Sequence, residues 1–358
     1  MVKRGIGYGS YFPALDGLRG VMAIGVVVAH VNLAWFPGAP IMMDVFFVIS
    51  GFLITLILLR GIEKTGSVAL LDFWKRRLLR LYPALLVVVL SSLFVASLCV
   101  DDLLSVAKDA LATVLYYSNW TKLYGYTYPG MFGHTWSLSI EEQFYLLWPM
   151  LFALTFRGGL RARYVLVILV ALAAGATIWR YYLVSQGAPW SRLYYALETR
   201  VDAFVVGGVL ALFFANLRER IEHWLWHYFL CFCSLALLLL LVFGRPREIY
   251  YFFWQQSLVL LLSAAVILLL TSSRASILKR LFCARICVFL GERCYSLYLW
   301  HWPLIWLLLV ETTVTKVTIL LIVVPLTILL ASITYTYIES PFLSKAYNMR
   351  RDKRAVEC

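Results

Sequence analysis

Arg19 and His30 stand eleven residues apart in the sequence. On a helix that spacing is three turns plus roughly 20°, so both side chains share one face, about 16 Å apart along the axis. The run that carries them, residues 11–36, is apolar and long enough to cross a bilayer, and it also holds Asp16. Ionisable groups at membrane depth are costly unless they face a polar interior, so they mark functional candidates. A neutral imidazole takes a hydroxyl proton readily near pH 7, which makes His30 a candidate base. The competing view is that Arg19 snorkels to an interface and His30 merely hydrogen-bonds within a bundle.

Further groups have the same character. In FWKRRLLRLYP, residues 73–83, Arg77 and Arg80 are one turn apart beside Arg76. Two guanidinium groups so placed can meet one phosphate-bearing ligand. In HTWSLSIEEQFYLLWP, residues 134–149, His134, Ser137 and Glu141 fall on one helix face, with Trp136 and Glu142 alongside. Two adjacent glutamates in an apolar segment are hard to explain by packing. MDVFFVISGFLIT adds Asp44 near the outer end of its segment, where Ser50 and Gly51 suit close helix packing. CYSLYLWHWPLIW adds Tyr298 and His301, the latter between Trp300 and Trp302 in an aromatic setting that fits a sugar platform or plain packing. Glu198, Arg200 and Asp202 read as an internal ion-pair cluster, with Arg200 the substrate-contact candidate. Glu339 is placed to pair with arginines near it. His223 and His227 share a face but lack a third ligand, and no metal site is expected.

These residues must be positioned by membrane helices. The 358-residue chain is 62% hydrophobic and 14% charged, which excludes a soluble globular domain. The sequence predicts an all-α integral membrane protein of about ten transmembrane helices, at 15–36, 40–59, 81–100, 136–156, 164–184, 197–216, 224–243, 250–271, 288–310 and 317–337. The net charge of +13 does not indicate nucleic-acid binding, because the basic residues sit at the ends of apolar runs. Arg60, Lys64, Arg157, Arg161, Arg218, Arg220, Arg274, Lys279 and the tail cluster on one side, which puts both termini in the cytoplasm. Residues 103–120 would reverse that pattern if they crossed, and they carry Lys108 and Asp109. Residues 101–135 are therefore expected as an outer re-entrant or interfacial segment walling a binding site. The first run reads as a retained signal anchor. The seven cysteines form no disulfide framework. The expected layout is a membrane domain over 1–345 and a basic cytoplasmic tail over 346–358; no oligomeric state is assigned.

The motifs LDGLRG with Arg19-x10-His30, DVFFVISGFLIT, Arg77-x-x-Arg80-Leu-Tyr-Pro, WSLSIEEQFYLLWP, YSLYLWHWP and YIESPF occur in register over almost the whole chain. Together they resemble the membrane acyltransferase-3 family. The resemblance implies transfer of an acyl group, usually acetyl, from cytosolic acetyl-CoA to a hydroxyl of an extracytoplasmic glycan, such as O-antigen or another surface polysaccharide, at a bacterial inner membrane. By position it implies that Arg19 and His30 are an essential pair, that Arg77 and Arg80 contact coenzyme A, with Arg76 beside them, and that Glu141 or Glu142 is the membrane carboxylate. Asp16, Asp44, His134, Trp136, Ser137, Arg200, Tyr298 and His301 are candidate substrate contacts. The expected mechanism has one passage running from the arginines to His30. His30 is either a base, with Glu141 setting its tautomer, or an acyl carrier. A small secondary metabolite as acceptor, a proton-coupled transporter and a non-catalytic scaffold are the competing functions.

Overall fold

The computed structural model describes residues 11–125, 130–157, 162–221, 223–311 and 314–342. Among them every regular element is helical. The first group is α1 (Pro13–Val31), α2 (Ile41–Thr65), α3 (Leu70–Cys99), α4 (Leu103–Val114) and α5 (Ser118–Leu123). Next come α6 (Trp136–Arg157), α7 (Ala162–Ser185), α8 (Trp190–Tyr195), α9 (Val201–Ile221) and α10 (Trp224–Phe243). The last are α11 (Gln255–Thr271), α12 (Ile277–Phe282), α13 (Arg285–Glu292), α14 (Cys294–Glu311) and α15 (Lys316–Thr334), which runs into a π turn over Tyr335–Glu339. The proposed tail, 346–358, and the basic positions Arg161, Arg350, Arg351, Lys353 and Arg354 lie outside the described residues.

Among the described residues six helices are long and apolar enough to cross a membrane: α1, α2, α3, most of α7, α10, and α15 with its π turn. The protein is a multi-pass membrane protein. Its outward faces are apolar, as lipid contact requires: Leu86, Leu90, Phe94 and Leu98 of α3 and Phe232, Leu235 and Leu239 of α10 are exposed. On α3 the opposite side, Ala84, Leu85, Val88 and Ala96, is buried.

Close approach of backbones holds the centre together. A side chain at Gly51 of α2 would overlap the Phe204 carbonyl of α9, and one at Gly207 of α9 would overlap the Val48 carbonyl of α2. Small residues let membrane helices pack this tightly where hydrophobic drive is absent. The glycines of LDGLRG do the same for α1. Gly17 lies against the Phe282 carbonyl, and Gly20 against the backbone of Gly291. That contact anchors the first half of α1, and with it Asp16 and Arg19.

Residues 103–120 do not form one continuous helix. α4 is capped by Asp102, whose carboxylate accepts from the Ser105 amide at 3.0 Å. It stops at Val114, and Tyr116 turns the chain with φ +53° before α5 begins. The short α5 is then tied to α6, since the Ser118 and Ser139 hydroxyls lie 2.8 Å apart and the Gln143 amide donates to Asn119 Oδ1 at 2.9 Å.

The basic cluster differs from expectation. FWKRRLLR lies outside the helix expected at 81–100, but it is itself helical. It is part of α3, which continues through Pro83. A proline removes one backbone donor without forcing a stop where neighbouring helices support the chain. Arg77 and Arg80 are therefore held on a rigid helix, aimed inward.

Candidate active site

Two cavities occupy the bundle. The larger, about 530 Å³, is lined by Asp16, Arg19, Arg60, Arg77, Arg80 and Glu141, with Glu142, Ser137 and Tyr145 on its wall. The smaller, about 270 Å³, is lined by His30, His134, Trp136, Lys122, Arg247 and Trp302, with further aromatic residues. Met43 and Tyr298 line both. The expected single passage is thus two chambers that meet at a partition of one methionine and one tyrosine.

Four helices thread both chambers, which is why one motif can supply residues to each. α1 gives Arg19 to the arginine chamber and His30 to the histidine chamber, as their shared face and axial separation require. α14 gives Cys294 to the first, Tyr298 to both and Trp302 to the second. α2 contributes Met43 and Ser50, and α6 leads from Trp136 past Ser137 to Glu141.

In the arginine chamber, Arg77 is committed. Its Nε and Nη2 both lie 2.8 Å from Glu142 Oε1, and its guanidinium stacks 3.2 Å from the Tyr145 ring centre. Arg19 lies 3.5 Å from Asp16. Arg80 makes no ion pair or hydrogen bond among the described residues, so its charge is available to a ligand. Arg76 does not line the chamber, while Arg60, at the far end of α2, does. The two glutamates separate in role. Glu142 fixes Arg77, whereas Glu141 faces the chamber near Ser50, and the Ser50 hydroxyl also contacts Tyr145.

The histidine chamber holds a cluster of three imidazoles. His30 Nδ1 lies 2.8 Å from His301 Nε2, with the rings stacked at 5.1 Å and 9°. His134 packs edge-on against His301 at 5.0 Å. Both ring nitrogens of His134 are buried and make no hydrogen bond among the described residues. Trp302 lies against His30 at 5.0 Å and is fixed by its indole N–H, which donates to the Gly130 carbonyl at 2.9 Å. The expected tautomer partner of His30 was Glu141. The neighbour actually found is His301, because Glu141 sits beyond the partition. Across that partition Tyr298 Oη lies 2.6 Å from Ser137 Oγ and donates to the His134 carbonyl at 2.6 Å.

Several candidates lie elsewhere. Asp44 and Arg200 line neither cavity; they pair with each other at 2.5 Å, fully buried, with Tyr251 also bonded to Asp44. Glu198, Arg200 and Asp202 do not cluster but enter three separate pairs, Glu198 with Arg192, Arg200 with Asp44 and Asp202 with Arg180. Trp300 bonds Thr334 rather than facing a chamber. Glu339 is buried and accepts from the Ser296 hydroxyl. Among the described residues no group of three His, Cys, Asp or Glu side chains is placed to hold a metal ion.

Lys122 and Arg247 were not singled out by pattern. Both come from short segments outside the long helices, where a single basic residue carries no periodic signal. Burial lowers the Lys122 ammonium from its ordinary value, and Asp109 opposes the shift.

A family model described as an acyltransferase domain matches residues 12–336, from the start of α1 to the π turn. The chain belongs to the acyltransferase-3 family. Every residue lining the two chambers of this acyltransferase-3 chain falls within the matched region except Tyr11, which adjoins it. It is 30% identical over 354 residues to the peptidoglycan O-acetyltransferase OatA of Listeria monocytogenes, covering 94% of this chain and 56% of that protein. It is 30% identical over 357 residues to the O-acetyltransferase OatA of Staphylococcus aureus strain NCTC 8325, covering 94% of this chain and 58% of that protein. The chain therefore spans less than three fifths of the length of these curated relatives. No solved structure matches the chain.

Proposed function

We propose that this protein is an O-acetyltransferase that takes acetyl from cytosolic acetyl-CoA and esterifies a hydroxyl of a glycan beyond the bilayer. The observation that carries this is the pair of chambers joined at Tyr298 and Met43, one rich in arginine and the other in histidine. The relatives named as O-acetyltransferases support the acyl chemistry, and the one named for peptidoglycan makes a cell-envelope glycan the favoured acceptor class over O-antigen.

In this reading α1, α2, α3, α6, α7, α9, α10, α11, α14 and α15 are the ten crossings, with both termini cytosolic and α4 and α5 lying on the outer side. The arginine chamber opens toward the cytosol. Arg80, with Arg60 and Arg19, suits the phosphates of the donor, while Arg77 is held by Glu142 as a shaped wall. The acyl end of the donor reaches the partition. The acceptor enters the histidine chamber, where the unpartnered nitrogens of His134 suit a hydroxyl.

The contact between His30 and His301 constrains the base. Only one of the two facing nitrogens can carry a proton at 2.8 Å. If it is His30 Nδ1–H, then His301 accepts and His30 Nε2 holds the free lone pair a base requires. His30 Nε2 then removes the acceptor's hydroxyl proton as the new C–O bond forms. The C–S bond breaks, and the proton passes to the departing thiolate.

The test is His30→Ala, read as acetylated product from purified protein with acetyl-CoA and a glycan acceptor. Loss of product with normal protein abundance is expected. Retained transfer would remove His30 from the chemistry, and absence of any acetylated product from the wild type would favour a transporter.

A further inference from the structure

The charged side chains lining the histidine chamber are of one sign. Lys122 and Arg247 line it, and among its described lining residues there is no carboxylate. The carboxylates closest to it in sequence are engaged elsewhere. Asp44 is held by Arg200, Glu198 by Arg192, and Glu248, adjacent to Arg247, lies 3.7 Å from Arg245. The Asp109 carboxylate, outside the chamber lining, accepts from the Phe132 amide at 3.3 Å and acts on Lys122, so the Lys122 charge is partly offset and Arg247 carries the selectivity. Arg247 itself makes no ion pair or hydrogen bond among the described residues.

Both cations are held in place. The Trp190 indole N–H donates to the Pro246 carbonyl at 2.8 Å, which fixes the chain immediately before Arg247 at the chamber wall. α5 is pinned to α6 and to the Tyr195 carbonyl through Asn119, and the Lys122 ammonium lies where a side chain on Gly133 would fall. Trp136, Trp190, Tyr194 and Tyr195 line the same chamber. Trp190 and Tyr194 stack at 4.2 Å and 19°. Aromatic faces accompanied by cations suit a ring with an acidic substituent.

We propose that the acceptor carries an anionic group, a carboxylate or a phosphate on the sugar, which Arg247 and Lys122 hold while the aromatic wall holds the ring. This rests on the reading of the histidine chamber as the acceptor site. Arg247 is then a specificity-determining residue: it selects acidic glycans and sets the ring's position relative to His30.

The experiment is equilibrium binding to the full chain in nanodiscs, by thermophoresis. The probes are an oligogalacturonide, its carboxyl-reduced neutral counterpart, N-acetylglucosamine 1-phosphate and N-acetylglucosamine. At least one anionic probe should bind about fivefold tighter than its neutral partner, the scale of a partly hydrated charge contact. The advantage should vanish in Arg247→Gln, persist in Arg247→Lys and shrink at high salt. Lys108→Gln, an exposed change away from the chamber, should leave it intact. Discrimination by the uronate pair alone identifies a sugar acid, and by the phosphate pair alone a sugar phosphate. Equal binding of charged and neutral probes, no measurable binding of either anionic probe, or an Arg247→Gln loss shared by both forms would overturn the proposal. Charge-selective binding without acetyl transfer would sink the enzymatic reading while leaving this site standing. Transfer to neutral and acidic acceptors with equal KM would do the reverse.

Discussion

Replacing His301 separates a histidine that merely fills space from one that sets the protonation of its neighbour. His301 is fully buried, and its Nε2 is the group facing His30 Nδ1. In His301→Phe the ring volume is kept, so packing against His30 and His134 survives. On the proposed tautomer, what disappears is the acceptor for the His30 Nδ1 proton. The lost hydrogen bond, and the desolvated N–H left behind, cost about 1–3 kcal/mol. His30 can avoid that cost by moving its proton to Nε2, which removes the lone pair needed for catalysis. The fall in kcat should therefore be about 5- to 150-fold, with the donor KM unchanged because the arginine chamber is untouched. His301→Gln restores a carbonyl acceptor and should recover part of the loss. The assay is radiolabelled acetyl transfer by purified protein in nanodiscs, normalised to folded protein. A phenylalanine variant with wild-type kcat would refute the tautomer argument. So would glutamine and phenylalanine variants that lose activity equally.

Three further outcomes follow from the ion pairs. Glu142→Gln releases Arg77 from its anchor and should raise the donor KM several-fold, whereas Glu141→Gln should leave Arg77 in place and act mainly on kcat; steady-state kinetics with varied acetyl-CoA distinguish the two. Asp44→Asn leaves Arg200 buried and unpaired, so it should destabilise the protein by about 3–5 kcal/mol, seen as a lower melting temperature in detergent without a selective change in either KM. Arg80→Gln should weaken donor binding without lowering the melting temperature, because Arg80 makes no ion pair or hydrogen bond among the described residues; a calorimetric titration with coenzyme A reads the binding and a thermal melt of the same preparation reads the stability.

Much of this arrangement is visible in the sequence. Helical periodicity places Arg19 and His30 on one face, and both line interior cavities at different depths. The face shared by His134, Ser137 and Glu141 does run from one chamber toward the other. Lys108, Asp109 and the arginines that follow argue against a membrane crossing over 103–120; the structure adds that the helix there ends at Val114 and the chain turns at Tyr116. Other features were not legible because they depend on contacts between distant segments. His30 and His301 are 271 residues apart, so no local pattern announces their contact. Asp44 finds Arg200 from 156 positions away, which turns two apparent substrate ligands into a buried strut. Arg60 looks like an ordinary charge at a helix end, yet it lines the arginine chamber beside residues far from it in sequence. Which adjacent glutamate pairs with Arg77 depends on a helix rotation that sequence alone leaves open.

Sidedness of transfer tests the two-chamber relay most directly. Purified protein is reconstituted into sealed vesicles in one known orientation, with acetyl-CoA outside and the glycan acceptor inside, and then the reverse. Acetylated glycan should form only when acetyl-CoA faces the side bearing Arg77 and Arg80 and the acceptor faces the side bearing His30 and Arg247. Equal product in both arrangements, or product only when donor and acceptor share one side, would contradict it.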